Sequence, residues 1–187
     1  MSSPEPERER LFFALWPDPP VRDRLDALAR HVVGRNGRRT ATEKLHLTLA
    51  FLGDRSAEER DCMAAAAGQV RVAPFTLRLD RIGHWRRPRI LWAGASVTPP
   101  ELLDLSGALN AHLAPCGYQP EARPFQAHLT LARKAAQPVA LTSVEPIEWP
   151  VRSFCLVRSV IASTGSSYEI LRTWTLGPEP ATGVPEA

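Results

Sequence analysis

At 187 residues and 44% hydrophobic, the chain is long enough to bury a core and short enough to be one domain or two small lobes sharing a cleft. Its formal charge of +3 rests almost wholly on arginine, since Lys44 and Lys134 are the only lysines, and it suits a polyanionic partner without requiring one. No apolar run approaches the roughly 18 residues that span a bilayer, and the charged MSSPEPERER lacks the apolar segment of a signal peptide, so a cytoplasmic protein with no membrane partner is expected.

In chain order, RLFFALWP (Arg10–Pro17) is a short apolar run closed by proline and reads as a strand. Asp18 can cap the helix that follows, where Val21, Leu25, Leu28 and Val32 recur at helical spacing up to the break GRNGRR. KLHLTLAFLG (Lys44–Gly53) alternates like a strand, with Gly53-Asp54 as its closing turn. Ser56 with Glu59 forms a capping box for the helix SAEERDCMAAAAGQV. PFTLRLDRIG and WRRPRILWAGAS predict a hairpin or neighbouring strands. A third helix runs through PPELLDLSGALNAHLAPCG, with Pro100 near its first turn and Gly117 past its end. The loop YQPEARPF leads into the strand AHLTLAR, WPVRSFCLVRSVIAS is one extended segment, STGSSY a turn and EILRTWTL a closing strand. Three helices among about eight strands predict an α+β or mixed α/β domain over residues 10–176, between a flexible leader (1–9) and a disordered Pro/Gly-rich tail (177–187). Cys62, Cys116 and Cys155 show no ligand spacing and are expected to be reduced thiols.

The string HLTLA occurs twice, at His46–Ala50 and His128–Ala132, a self-similarity that chance rarely produces in a chain this short. Strand side chains alternate, so His46 and Thr48 share one face while Leu47 and Leu49 share the other, and His128 and Thr130 repeat the pattern. A two-lobed, pseudo-twofold arrangement would bring the two polar faces together. Two imidazoles across a gap can divide labour near neutral pH, one taking a proton from a nucleophile and the other giving one to a leaving group. Threonine hydroxyls suit the non-bridging oxygens of a phosphodiester, and Arg133 would bring a guanidinium to the same anion. Such chemistry needs no metal and no cofactor. His31, His84 and His112 read as structural. Arg86, Arg87 and Arg89 form either a contact for RNA phosphates or an exposed hairpin face. A base-stacking platform would come from among Phe13, Phe51, Trp92 and Phe125, with no one of them singled out.

EKLHLTLAFLGD (Glu43–Asp54) and RPFQAHLTLAR (Arg123–Arg133) resemble the paired signatures of the bacterial and archaeal RNA 2',3'-cyclic phosphodiesterases, once called 2'-5' RNA ligases, in the two-histidine phosphoesterase superfamily. The resemblance extends to RLFFALWP, RILWAG (Arg89–Gly94) and GSSYEIL (Gly165–Leu171) and covers most of residues 10–176. It implies a bilobal α+β fold, two antiparallel sheets around a central cleft with helices outside. The reaction it implies opens an RNA 2',3'-cyclic phosphate to a 2'-phosphomonoester, some members joining tRNA halves by a 2'-5' linkage in vitro. His46 would be the proton donor and His128 the proton acceptor, with Thr48, Thr130 and Arg133 on the phosphate. The partner would be RNA with 2',3'-cyclic phosphate ends, tRNA fragments among them, and the protein a monomer. Two departures stand out: Ala127 occupies the place where the family commonly has proline, and NGRRTATEK lacks the aromatic often found upstream of the first histidine. The alternatives are a nucleotide- or RNA-binding module without turnover and a two-histidine phosphodiesterase for small cyclic nucleotides or 2'-5' oligonucleotides.

Overall fold

The computed structural model describes residues 8–162 and 165–177. Its strands are β1 (Glu9–Leu15), β2 (Arg38–Arg39), β3 (Leu47–Arg55), β4 (Phe75–Trp85), β5 (Ile90–Gly94), β6 (Leu129–Arg133), β7 (Thr142–Val151), β8 (Ser153–Ala162) and β9 (Gly165–Thr175). Three helices intervene, α1 (Pro19–Val33), α2 (Ala57–Ala67) and α3 (Pro100–Leu113). The fold is α+β, as expected.

The capping signals act as read. The Asp18 side chain accepts from the Val21 amide at the head of α1, and Ser56 and Glu59 bond each other's backbone amides to open α2. Gly117, at φ 79°, takes the left-handed conformation that stops the α3 segment after a short 3-10 turn.

The strand order is β7-β4-β5-β6-β3-β1-β8-β9, with β2 added beside β6 and every pairing antiparallel. The two sheets implied by the resemblance are therefore two four-stranded halves. They meet through one ladder pair, Leu47 with Leu129, which makes the sheet formally continuous. The repeated strands β3 and β6 are the two members of that seam.

One side of the seam is apolar. Leu47, Leu49, Leu129 and Leu131 join Leu11, Phe13 and Leu15 of β1 in a core closed by Leu25 of α1, Met63 of α2 and Leu102, Leu105 and Leu109 of α3. On the opposite face of β1, Phe12 and Ala14 form a smaller cluster with Cys155 and Val157, against which Trp16 and Tyr168 pack. The period of two in β1 thus feeds two cores rather than a core and solvent.

Several expectations are corrected. Gly53 does not end β3; it adopts φ 75° beside a bulge in the β1–β3 pairing, and the strand runs on to Arg55. The segment read as one extended run divides at Arg152, because β7 pairs with β4 at one edge while β8 pairs with β1 in the other half. Gly165–Tyr168 of the expected STGSSY turn already lie in β9. The three cysteines are not all free thiols. Packing of α2 on α3 brings Cys62 and Cys116 to a Cα separation of 5.8 Å, and they are joined in a disulfide. A sequence separation of 54 residues hid that pairing. Cys155 is buried and donates to the Ala14 carbonyl, and burial pushes its thiol up to about 12. Of the expected leader and tail, residues 1–7 and 178–187 lie outside the described residues; Glu9 begins β1, and the Gly177 amide donates to the Val72 carbonyl. No helix among the described residues is long and apolar enough to cross a membrane.

Candidate active site

Continuing the Leu47–Leu129 register outward sets His46 opposite Thr130 and Thr48 opposite His128. Each histidine thereby lies on the same side of the seam as the threonine of the other repeat. The surface agrees: a groove of about 410 Å³ is lined by His128 and Thr48, and one of about 250 Å³ by His46 and Thr130. The four predicted residues flank the seam between the grooves, on the face away from the leucines.

The two imidazoles are held alike. His46 Nδ1 lies 2.6 Å from the Lys44 carbonyl oxygen and His128 Nδ1 lies 2.9 Å from that of Gln126, each two residues back along the chain. A carbonyl only accepts, so Nδ1 carries the proton in both rings and Nε2 is the bare nitrogen of the neutral form. Ala127, in the place of the family's proline, does not prevent this contact.

Different aromatic neighbours surround each ring. Trp16 stacks flat on His46 at 5.2 Å and 5°, Tyr168 meets it edge-on at 5.2 Å, and Phe12 packs at 5.0 Å. His128 meets Trp85 edge-on at 4.5 Å, and Trp85 leans on Trp92 at 5.6 Å. Trp92 in turn lies on Gly83, where an added Cβ would fall 2.3 Å from the ring. A glycine on β4 therefore sets the depth of the aromatic stack that backs His128.

Burial lowers the pKa of both histidines. At His46 it does so to about 4, with the Lys44 carbonyl opposing and the charges of Arg133 and His128 adding to the fall. At His128 burial again lowers it, the Gln126 carbonyl opposes, Arg133 adds, and the nearby Glu121 partly offsets the change. Arg133 thus acts on both rings, and it lines the His46 groove. If the reaction needs one ring protonated and the other neutral, kcat/KM should follow a bell whose maximum lies below pH 6.5, with its acid limb near 4. Below that limb both rings are cationic and the base is lost; above the upper limb both are neutral and the acid is lost. A flat profile of kcat/KM, or one centred above pH 7, would contradict this arrangement.

Residues outside the repeats complete the site. Arg38, Arg39, Lys44 and Tyr168 line the His46 groove, while Phe51, Trp85, Tyr118 and Phe125 line the His128 groove. Of the aromatics considered for stacking, Phe51 is 43% exposed in that groove and Phe125 is half-buried there, whereas Phe13 is core and Trp92 backs Trp85. Trp16 and Tyr168 belong to strings noted for their resemblance, RLFFALWP and GSSYEIL, but nothing in those strings pointed to a histidine far away in the chain. Asp26 of α1, buried, holds Arg39 and pairs with Arg30 at 2.7 Å; burial alone would raise its pKa, but Thr42 and the two arginines hold it below the usual carboxylate value. That clamp fixes the segment leading into His46. His84 is satisfied by the Ala135 carbonyl at 3.1 Å, and His31 and His112 are exposed on helices. Arg86, Arg87 and Arg89 are exposed in the β4–β5 turn with no acidic partner among the described residues.

Facing His–Thr pairs on a doubled antiparallel sheet define the chain as a two-histidine phosphoesterase in fold. Comparison with known proteins agrees. The sequence model of the 2'-5' RNA ligase superfamily matches residues 17–160. The RNA 2',3'-cyclic phosphodiesterase of Escherichia coli is 37% identical over 174 residues, 91% of this chain and 98% of that protein. The protein of the same name from Thermus thermophilus is 34% identical over 91% of each chain. Among solved structures, E. coli LigT complexed with 3'-AMP superposes with a TM-score of 0.84 at 36% identity, covering 91% of this chain and 99% of that one. The chain belongs to the 2'-5' RNA ligase superfamily.

Proposed function

We propose that the protein is an RNA 2',3'-cyclic phosphodiesterase that opens the cyclic end to a 2'-phosphomonoester. The observation that carries this reading is the pair of imidazoles fixed through Nδ1 on either side of one seam, each lining a groove with the threonine of the other repeat. Relatives that bear the name of this activity span nearly the whole chain.

The chemistry follows from what the residues hold. In the free site both imidazoles are neutral at pH 7, and an entering phosphodiester anion favours protonation of one of them. The neutral ring takes a proton from water as its oxygen attacks phosphorus; the imidazolium gives its proton to the 3'-oxygen as that P–O bond breaks. We assign His46 as donor and His128 as acceptor. Burial lowers the pKa of both rings and does so more strongly at His46, whose imidazolium is therefore the stronger acid and must be held protonated by the bound phosphate. Thr48, Thr130 and Arg133 hold the non-bridging oxygens and share their charge in the transition state. Phe51 and Phe125 offer faces for the terminal base. We place this activity in a cytoplasmic monomer comprising residues 10–176, acting without metal or cofactor on RNA ends that include tRNA fragments. Joining such ends through a 2'-5' linkage would be the same step with a 5'-hydroxyl in place of water: its oxygen bonds to phosphorus, its proton goes to the neutral ring, and the protonated 3'-oxygen leaves.

A short RNA ending in a 2',3'-cyclic phosphate, incubated with the protein and a chelator, should yield a 2'-phosphate. A 3'-phosphate product, or none, would overturn the reading. Thr48→Ala and Thr130→Ala should each cost about 1–3 kcal/mol in transition-state binding, roughly 5- to 150-fold in kcat/KM. A threonine variant as inactive as a histidine variant would give the hydroxyl a role beyond holding phosphate.

A further inference from the structure

The groove beside His46 holds more positive charge than the reacting phosphate can use. Arg38, Arg39, Lys44 and Arg133 all line it, and no carboxylate does. Arg39 is committed to Asp26, but Arg38, Lys44 and Arg133 have no acidic partner among the described residues. A cyclic phosphodiester brings a single negative charge, and in the proposed reaction it already meets the two threonines, the protonated histidine and Arg133, which leaves Arg38 and Lys44 unused.

The strand pairing sharpens the point. Strand β2 consists of Arg38 and Arg39 alone, both exposed, and its register sets Arg38 directly across from Arg133. Like charges directly opposed in an antiparallel ladder oppose the pairing. No apolar side chain of β2 offsets that repulsion, since the strand has none. An anion between the two guanidiniums would turn the repulsion into a bidentate clamp, the geometry in which arginine binds phosphate best.

We propose that Arg38 and Lys44, with Arg133 shared between the two anions, form a second phosphate subsite, which takes the phosphate on the 5' side of the nucleotide that carries the cyclic end. The inference rests on the phosphodiesterase reading and deepens it. The enzyme would recognise a polynucleotide end, or a 5'-phosphorylated nucleotide, over a bare nucleoside cyclic phosphate. Both ligands present the same group to the groove, a phosphate joined to the 5'-oxygen, either as an internal diester or as a terminal monoester.

The test compares three substrates: adenosine 2',3'-cyclic phosphate, the same nucleotide with a 5'-phosphate, and a dinucleotide with a 2',3'-cyclic end. Wild-type kcat/KM should be about 10- to 100-fold higher for the two substrates with the extra phosphate, chiefly through KM, and this advantage should shrink as salt rises. Arg38→Gln and Lys44→Gln should each cut the ratio of kcat/KM between phosphate-bearing and bare substrates. A gain for the dinucleotide alone would assign the subsite to the internal diester, and one for the 5'-phosphate alone to the monoester. Equal kcat/KM on all three, or a ratio that survives both substitutions, would overturn the inference while leaving the phosphodiesterase reading intact. No turnover of any of the three by the wild type would overturn both.

Discussion

Replacing His46 or His128 with alanine should lower kcat by about 10²- to 10⁴-fold, the range expected for loss of one general acid or base. That corresponds to about 2.7–5.5 kcal/mol of transition-state stabilisation. Each ring offers one bare Nε2 and is fixed through the other nitrogen to a backbone carbonyl, so neither can take over the partner's role without leaving its place. The double variant should therefore be little worse than either single one. Alanine at position 46 also opens a gap among Phe12, Trp16 and Tyr168. His46→Asn guards against misreading that loss, because its side-chain amide still has a donor for the Lys44 carbonyl but no group that titrates in this range. It should be as inactive as the alanine variant with a melting temperature closer to wild type. Near-wild-type turnover in either alanine variant would rule out the paired mechanism.

Phe13→Ala should destabilise the fold by about 3–5 kcal/mol, read as a lower urea midpoint at unchanged slope. The ring is fully buried on the helix-facing side of β1, against Phe154 at 6.2 Å and Trp174 at 5.7 Å, and these two stack on each other at 5.3 Å. Strand β1 is central to its half of the sheet, paired on both sides with β3 and β8, so its neighbours have little freedom to close the cavity. A loss of that size is a large share of the roughly 5–15 kcal/mol typical of a domain. A shift under about 1 kcal/mol would mean that the surrounding rings collapse into the space. Phe12, its neighbour in sequence, points the other way, to His46 at 5.0 Å and Tyr168 at 5.3 Å. Adjacent phenylalanines of one strand thus serve the main core and the setting of a proposed catalytic ring.

The sequence by itself determined what local chemistry and periodicity can encode. Asp18 and the Ser56–Glu59 box cap their helices by contacts within one turn, and Gly117 ends its segment through its own backbone freedom. Alternation in HLTLA put His and Thr on the face away from the leucines, and the exact repeat singled out the four residues that flank the seam. What only the tertiary structure decided depends on partners far away in the chain. The bulge at Gly53 depends on register with β1, and the break at Arg152 on two strands choosing opposite halves of the sheet. Cys62 met Cys116 because two helices pack together. The exchange of threonines between the two histidines follows from one antiparallel pair at the seam, and the basic groove from a two-residue strand that looked like the end of a helix. Strand pairing and helix packing join residues tens of positions apart through shape and hydrogen-bond register, and neither leaves a local pattern at the residues it joins.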